Sequence, residues 1–224
     1  SGNSKLTKIT DGAVSFDGSG DYLSMSESDF TNISSSDAFT IEAFVYLNDL
    51  DAYSTVFASS NSSFSTGGFK LEIYNSKVRV QADSLDLNSG MTLSTKRWYH
   101  LAFSRTSDGK AYSFVDGILD NSATSKTFEV TWPVSVRIGG KANDTEYLNG
   151  FVSNFRYVDG TALYTSRFTP PTAPLTNVTN TELLCCQSNT STTAAAATPG
   201  SINTNGNAAA TNFNPFITDI NAVR

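Results

Sequence analysis

The chain has 224 residues, a formal net charge of −6 and 16% charged residues. A protein that binds nucleic acid or an anionic membrane needs clustered Lys and Arg, and this acidic sequence shows no such cluster, so we exclude both partners. No apolar run approaches the roughly 20 residues of a transmembrane helix, and residues 1–11 form a polar lead-in without the apolar core of a signal peptide. We therefore predict no membrane insertion.

Short alternating runs of residues predict an all-β fold. Hydrophobic residues make up 39% and aromatic residues 12% of the chain, and β-branched and aromatic side chains favour strands. Helical periodicity is almost absent, whereas strand-length runs separated by Gly, Asn, Asp and Ser recur, as is typical of a two-sheet antiparallel β-sandwich. The first two runs, 13–16 and 21–25, are joined by an Asp-Gly turn, which predicts a hairpin.

The later strands follow the same pattern. The run 39–47 has apolar residues on both faces, so we predict a central strand with one buried and one half-covered face. The runs 69–74 and 77–82 flank an Asn-Ser turn and predict a second hairpin. In the second of these runs the polar residues alternate with inward-pointing valines and face outward: Lys77, Arg79 and Gln81. Further strands are predicted at 97–105 and 110–115, which form a third hairpin across a Ser-Asp-Gly turn, and at 134–140, 147–160 and 181–188, the last of the sandwich.

The composition changes after residue 188. Residues 189–212 are almost entirely Asn, Ser, Thr, Ala and Gly, too few of them apolar to build a core. We therefore predict a sandwich domain at 12–188 and an irregular, low-complexity tail at 189–224. Phe213 and Phe216 end the polar stretch, and we predict that they dock this tail on a partner.

The two cysteines, Cys185 and Cys186, are adjacent in the sequence. Neighbouring residues of a strand point to opposite faces, and a disulfide between them would be strained. We predict two free thiols, so the fold depends on its core rather than on crosslinks.

Six segments occur in an order that resembles the laminin G-like family of concanavalin A-like domains. They are SFDGSGDYL at 15–23, FTIEAFVYL at 39–47, RWYHLAFSR at 97–105, FVDGIL at 114–119, VRIGG at 136–140 and NGFVSNFRYVDGTALY at 149–164. The resemblance implies a jelly-roll sandwich of the lectin type. The stretches 160–189 and 198–216 look like laminin G-like domains of structural proteins from tailed bacteriophages, especially marine ones, which implies a place on the virion surface.

The carboxylates do not form a catalytic pattern. Glycoside hydrolases of such folds need two carboxylates flanking the scissile bond, and four of the six glutamates have no acidic residue two positions away. The exceptions, Glu27 with Asp29 and Glu146 with Asp144, lie in polar loops rather than on an apolar strand. His100 is the one histidine, and its position within a strand favours a packed, hydrogen-bonded residue over a general base. We predict that the chain is not an enzyme.

Calcium is the one cofactor that the sequence leaves open. Aspartates in turns at strand ends supply the hard oxygen ligands that calcium prefers, and Asp17 with Asp21 is the best such pair, although turn chemistry also explains them. The resemblance adds no metal site, because Ser153 and Asn154 stand where the family usually has an acidic pair.

A set of loop residues has the chemistry of a glycan site, which combines an aromatic platform with amide and carboxylate hydrogen-bonding groups. The predicted lip consists of Tyr53, Trp132, Asn143, Asp144 and Tyr147. In the alternative interpretation, Trp132 and Tyr147 only cover an edge of the core.

Three functions remain open. The first is a virion-surface module that binds host or environmental polysaccharide. The second is a purely structural virion protein, such as a capsid decoration or fibre component, that contacts other virion proteins and binds no glycan. The third is an extracellular adhesin module of a bacterium. The sequence leaves the oligomeric state open.

Overall fold

The computed structural model describes residues 11–59, 67–124, 126–143 and 145–216. A single turn of 3-10 helix spans Glu27–Asp29, and no helix of the described residues is long and apolar enough to cross a membrane. The strands are β1 Ala13–Asp17, β2 Tyr22–Met25, β3 Phe39–Leu47, β4 Tyr53–Ser59, β5 Phe69–Tyr74, β6 Lys77–Ala82, β7 Leu85–Asn88, β8 Trp98–Arg105, β9 Ala111–Val115, β10 Ile118–Ala123, β11 Val136–Ile138, β12 Asn149–Asp159, β13 Thr181–Cys185, β14 Ala195–Ala197, β15 Asn203–Asn205 and β16 Ala209–Thr211.

These strands form two antiparallel sheets. The nine-stranded sheet has the order β10-β9-β8-β3-β12-β1-β16, with β13 paired to β12 and β14 paired to β13. The seven-stranded sheet has the order β15-β2-β11-β4-β5-β6-β7. Alternate residues of each strand enter one hydrophobic core between the sheets, for example Phe39, Ile41 and Val45 from β3 facing Phe69 and Leu71 from β5. The predicted two-sheet antiparallel sandwich is confirmed.

Strand β3 is central, as predicted, and both of its faces are covered. It pairs with β8 on one side and β12 on the other. Its outward face is covered by residues 161–176, which we call the strap. The Thr40 hydroxyl donates to the Thr161 carbonyl at 2.8 Å and accepts from the Leu163 amide at 2.8 Å. The strap thus covers Thr40 on the outward face, while the apolar Phe44 on the same face contacts Phe216 of the C-terminal segment.

Two of the predicted hairpins are confirmed and one is wrong. Strands β5 and β6 pair across Asn75 and Ser76, whose φ angles of 48° and 64° suit a tight hairpin turn, and β8 pairs with β9. Strands β1 and β2 do not pair: β1 lies in the nine-stranded sheet and β2 in the seven-stranded sheet. The Asp-Gly turn between them therefore carries the chain across the sandwich. A local turn signal does not reveal whether the next strand pairs with the previous one or crosses to the facing sheet.

Residues 189–216 form part of the sandwich instead of the irregular tail that composition indicates. Strand β14 pairs with β13, β15 pairs with β2, and β16 pairs with β1. Ile202 and Ala208 join the core. An edge strand is held largely by backbone hydrogen bonds, which Ala, Asn and Thr make as readily as apolar residues do. The sandwich therefore extends beyond residue 188, and β13 is not its last strand.

The two phenylalanines predicted to dock on a partner pack on their own chain. The Phe213 ring centroid lies 4.9 Å from Tyr46, 5.3 Å from Trp98 and 5.0 Å from Phe151, and Phe213 remains 37% exposed. The Phe216 ring lies 5.0 Å from Phe44. These contacts close the C-terminal segment over the outer face of the nine-stranded sheet.

The cysteines are free thiols, as predicted. Cys185 and Cys186 are both buried, and their sulfur atoms lie 3.7 Å apart. The fold is stabilised by its core and not by a crosslink between them.

Candidate functional site

The outer face of the seven-stranded sheet carries a dense set of polar and aromatic side chains. Because side chains alternate along a strand, the residues between the core positions of β2, β4, β5, β6, β7 and β11 point away from the core. We call this surface the polar face. Its residues are Tyr22, Ser24, Tyr53, Lys70, Glu72, Tyr74, Arg79, Gln81, Asp86, Asn88 and Arg137.

At the centre of the polar face, charged side chains form a largely buried network. The Lys70 ammonium lies 2.5 Å from a Glu72 oxygen and 2.9 Å from a Glu146 oxygen, and Lys141 lies 2.8 Å from the other oxygen of Glu146. Lys70 and Glu72 are only 2% and 0% exposed, although they lie on an outer face. The loop before β12 covers them, and the Thr55 amide binds the Glu146 carbonyl at 2.9 Å. The network therefore fixes this loop against β4 and β5.

The pKa values of the two carboxylates in this network shift in opposite directions, although burial acts to raise both. Burial raises the pKa of Glu72, and the Lys70 ammonium offsets this only in part. Burial also acts to raise the pKa of Glu146, but hydrogen bonds from Lys141 and Lys70 outweigh it, so that pKa is lowered. Glu146 is thus held as an anion by two cations.

Two tyrosines form an aromatic shelf beside this network. The ring centroids of Tyr53 and Tyr74 lie 4.9 Å apart, and Tyr53 is 41% exposed. The Lys70 ammonium lies 5.7 Å from the Tyr53 centroid, and the Arg79 guanidinium lies 4.8 Å from that of Tyr74. Arg79 is held in place by a two-point ion pair with Asp86, at 2.8 and 2.5 Å. Fixed rings and fixed hydrogen-bonding groups therefore lie side by side.

The structure places Tyr53, Asn143 and Tyr147 of the predicted glycan lip at the surface and Trp132 in the core. Tyr53 is exposed, Asn143 is exposed in the loop before β12, and Tyr147 is half-buried and stacks on Tyr22 at 6.3 Å. Trp132 is only 1% exposed, and its indole Nε1 donates to the Thr31 carbonyl at 2.7 Å. Trp132 is therefore a core residue, as in the alternative interpretation, and its ring is not available to a ligand. Asp144 lies outside the described residues.

Sequence reasoning missed the residues that surround Tyr53. Tyr74, Lys70 and Glu72 lie on β5, and Arg79 lies on β6, where the alternation had already placed it facing outward. The available signal was the antiparallel pairing of β5 with β6, which sets Glu72 opposite Arg79. The position of Glu146 had no such local signal, since it depends on a loop that follows much later in the chain.

The predicted calcium pair does not fit a cation. Asp21 is buried, and its two carboxylate oxygens accept the backbone amides of Asp17 at 3.0 Å and Asn207 at 2.7 Å. Asp17 accepts the Ser19 amide at 2.7 Å. Within the described ranges, no group of three or more His, Cys, Asp or Glu side chains is arranged to hold a metal. Asp21 instead joins the β1–β2 turn to the C-terminal segment.

We expect Asp21→Ala to lower the free energy of unfolding by about 2–4 kcal/mol, because it leaves two backbone amides without their acceptor. Urea denaturation with and without calcium measures this loss, which should be the same in both conditions. Asp17→Ala is the matched control, because its carboxylate accepts a local amide in an exposed turn. A loss that appears only in the presence of calcium would contradict this structural role.

The Glu42 carboxylate and His100 are buried under the strap and engaged with each other. The His100 Nε2 atom lies 2.9 Å from a Glu42 oxygen, and Arg156 binds the other oxygen through Nε at 2.8 Å. The His100 ring also packs against Phe44 at 4.8 Å. The structure thus gives His100 the packed and hydrogen-bonded surroundings that the sequence favoured.

Comparison with known proteins assigns the fold to a family. A family model described as the concanavalin A-like lectin/glucanases superfamily matches residues 17–163. A putative carbohydrate-binding protein from Bacteroides ovatus is 18% identical, with a TM-score of 0.64 over 92% of this chain and 60% of that protein. A heptameric SAP-like pentraxin from Limulus polyphemus is 13% identical, with a TM-score of 0.53 over 71% of this chain and 80% of that one.

A search of curated protein sequences found no match. The structural neighbours are too distant in sequence to indicate more than the fold. The family model, however, spans well over half of the 224 residues and ends where β12 leads into the strap. The chain belongs to the concanavalin A-like lectin/glucanases superfamily.

Proposed function

We propose that the chain is a non-catalytic carbohydrate-binding module whose ligand lies on the polar face, against Tyr53 and Tyr74. The observation that carries this proposal is an aromatic pair, the exposed Tyr53 and the half-buried Tyr74, set beside a fixed network of charges. A pyranose ring has an apolar face, which stacks on an aromatic ring, and a rim of hydroxyls, which need donors and acceptors. Both kinds of partner are present here within one surface.

The polar groups next to the shelf suit sugar hydroxyls. Arg79 offers donors, while Asp86 and Asn88 on β7 offer carboxylate and amide groups. Arg79 is already held by Asp86, so less conformational entropy is lost when a ligand binds. The Bacteroides ovatus neighbour, titled a putative carbohydrate-binding protein, supports the proposal through its shared fold.

The place of the module on a phage virion is part of the same proposal. It is supported by the resemblance of residues 160–189 and 198–216 to phage structural proteins. There the module would bind host or environmental polysaccharide, with other virion proteins as its neighbours.

A second candidate function is that of a virion structural protein with no glycan ligand. The observation in its favour is that Phe213 remains 37% exposed next to the partly exposed rings of Tyr46, Trp98 and Phe151. Such an apolar patch fits contact with another protein.

We expect Tyr53→Ala to weaken glycan binding about five- to tenfold, because one stacked ring contributes about 1–1.5 kcal/mol. A glycan array of bacterial and algal polysaccharides selects the ligand, and isothermal titration calorimetry then compares the variants. Tyr112→Ala is the matched control: Tyr112 is a half-buried tyrosine on the outer face of β9, in the other sheet. Unchanged affinity of Tyr53→Ala, or wild-type protein that binds no polysaccharide, would refute the proposal.

A further inference from the structure

Four aromatic rings cluster on the outer face of the nine-stranded sheet, on the other side of the sandwich from the polar face. Three of them lie in one line across β8, β3 and β12, because Tyr46 pairs with Trp98 on one side and with Phe151 on the other. The fourth, Phe213, packs on this line and stands nearly perpendicular to Tyr46, at an interplanar angle of 87°. Phe213 is 37% exposed, so an aromatic ring is presented to solvent. We call these four residues the aromatic cluster.

A row of polar side chains runs beside the aromatic cluster. Asn48 and Asn149 each stand two residues along the strand from an aromatic neighbour, and such positions share a face of the sheet about 7 Å apart. The Asn48 side-chain amide donates to Asn149 Oδ1 at 3.0 Å, and the Lys96 ammonium donates to Asn48 Oδ1 at 3.2 Å. The Asn149 amide donates in turn to Asp49. These four residues, which we call the amide row, are therefore fixed before a ligand binds, which lowers the entropic cost of binding.

The amide row has hydrogen-bonding groups that its own contacts do not use. Among the described residues, these bonds take one donor of each amide and one of the ammonium, which leaves one donor on each asparagine and two on Lys96. Two polar atoms of this surface are buried without a hydrogen-bond partner, Asp49 Oδ1 and Trp98 Nε1. Such atoms are costly and rare in native proteins. The hydrogen-bonding capacity of this surface is thus only partly used within the described chain.

The size and charge of this surface favour a neutral sugar chain over a protein or an acidic glycan. Phe213 covers the three rings beneath it and leaves them only partly exposed, whereas a stable protein interface buries about 800 Å² on each partner. Lys96 contributes one positive charge, but Asp49 and Asp17, which pairs with Asn149, contribute two negative charges. An aromatic ring beside fixed amides suits the apolar face and the hydroxyl rim of a pyranose.

We propose that the aromatic cluster and the amide row form a second carbohydrate site, which binds a neutral polysaccharide. The sugar stacks on Phe213, and its hydroxyls bond to Lys96 and to the asparagine amides. The outer side chains of the two sheets point in opposite directions, so one extended stretch of polysaccharide cannot contact both sites. The module therefore bridges two polysaccharide chains. The bridging rests on the proposed function of the polar face, whereas the second site does not.

Tryptophan fluorescence tests the second site separately from the polar face. The sequence has two tryptophans, and Trp132 is buried in the core, so Trp98 is the one whose emission a ligand on this surface changes. The probes are oligosaccharides of laminarin, mannan and agarose, with alginate oligosaccharide as the acidic comparison. At least one neutral probe should shift the emission and protect Trp98 from quenching by acrylamide, and alginate should do neither. Trp98→Phe should abolish the signal.

Variants assign the fluorescence response to named side chains. Phe213→Ala should weaken binding at this site about five- to tenfold, as expected for the loss of one stacked ring. Lys96→Ala removes an exposed donor and leaves the core intact, so it tests the site even if Phe213→Ala proves unstable, and it should weaken binding about fivefold. Tyr53→Ala should leave the fluorescence titration unchanged. Tyr112→Ala, on the outer face of β9 in the same sheet, is the matched control.

Calorimetry and light scattering distinguish failure of the second site from failure of the polar face. Wild type should bind two oligosaccharides per chain and cloud a solution of the parent polysaccharide by cross-linking it, whereas Phe213→Ala and Tyr53→Ala should each cloud it less. One bound oligosaccharide with unchanged Trp98 emission would overturn the second site and leave the proposed function standing. An emission change that both Phe213→Ala and Lys96→Ala leave intact would also overturn it. Self-association that Phe213→Ala removes, without a response to any sugar, would assign the surface to a protein partner and overturn the proposal.

Discussion

Glu42→Ala will lower the free energy of unfolding by about 3–5 kcal/mol, since it leaves a buried guanidinium without its counter-charge. Glu42 is 0% exposed and accepts two hydrogen bonds from Arg156, one contact from His100 and one bond from the Tyr164 hydroxyl at 3.0 Å. Arg156 also donates to the Thr176 carbonyl of the strap. Loss of the carboxylate therefore disturbs the sheet and the strap together. Chemical denaturation measures the change.

The pH dependence of stability provides a second check on Glu42. Burial acts to raise the pKa of this carboxyl, but the hydrogen bonds and charges of His100 and Arg156 outweigh it, and the net pKa is lowered. A lowered folded-state pKa means that the stabilisation is present above the unfolded-state pKa, about 4.5, and is lost as the pH falls through the folded-state value. The difference between wild type and Glu42→Gln should therefore shrink in acid.

The exposed pair of Asp108 with Lys110 is the control for Glu42. Asp108→Ala should cost less than about 1 kcal/mol, because exposed ion pairs contribute little. A Glu42→Ala protein as stable as Asp108→Ala would contradict the assigned role.

A chain that ends at residue 189 will lose about 5 kcal/mol or more of stability, comparable to the whole stability of a typical domain. The deletion removes β14, β15 and β16, which pair with β13, β2 and β1. It also removes Ile202 and Ala208 from the core and uncovers the aromatic rings beneath Phe213. Exposed sheet edges favour aggregation, so we expect poorly soluble protein with a lowered or lost thermal transition.

A chain that ends at Phe216 is the control for this truncation, because it keeps every described contact of the C-terminal segment. Adding a synthetic peptide of residues 190–216 should partly restore the thermal transition of the shorter chain by strand pairing. A soluble 189-residue chain that unfolds at the wild-type temperature would refute this account of the segment.

Because residues 189–216 belong to the sandwich, their deletion cannot test a virion-docking role. Deleting residues 189–224 would destabilise the sandwich, so failed incorporation would not distinguish docking from folding. Phe213→Ala is the sharper variant, because the ring is 37% exposed and the strand pairing of β16 stays intact. Normal incorporation of this variant into particles would count against docking through Phe213.

The candidate glycan site shows which residues the sequence could assign to a surface and which it could not. Alternation along β6 already placed Arg79 outward, and exposure of Tyr53 agrees with the sequence-based prediction. The sequence could not separate Tyr53 from Trp132, since both are aromatic residues near turns. Only the packing shows that Trp132 donates to Thr31 in the core.

The charged residues likewise show that the sequence does not reveal contacts between distant parts of the chain. Asp17 and Asp21 looked like calcium ligands because they lie close together in the chain, yet Asp21 binds the amide of Asn207, 186 residues away. Lys70 and Glu146, which the structure does bring together on the polar face, lie 76 residues apart in the chain. Such a pair has no local sequence signature.

The sequence by itself determined the all-β class, the central position of β3 and the β5–β6 hairpin. These features depend on side-chain alternation and on turn residues that tolerate positive φ, both of which are local. The tertiary structure alone decided that β1 and β2 lie in different sheets and that residues 189–216 complete both of them. Strand pairing is made by backbone hydrogen bonds that every residue but proline can form, so composition cannot specify the partner.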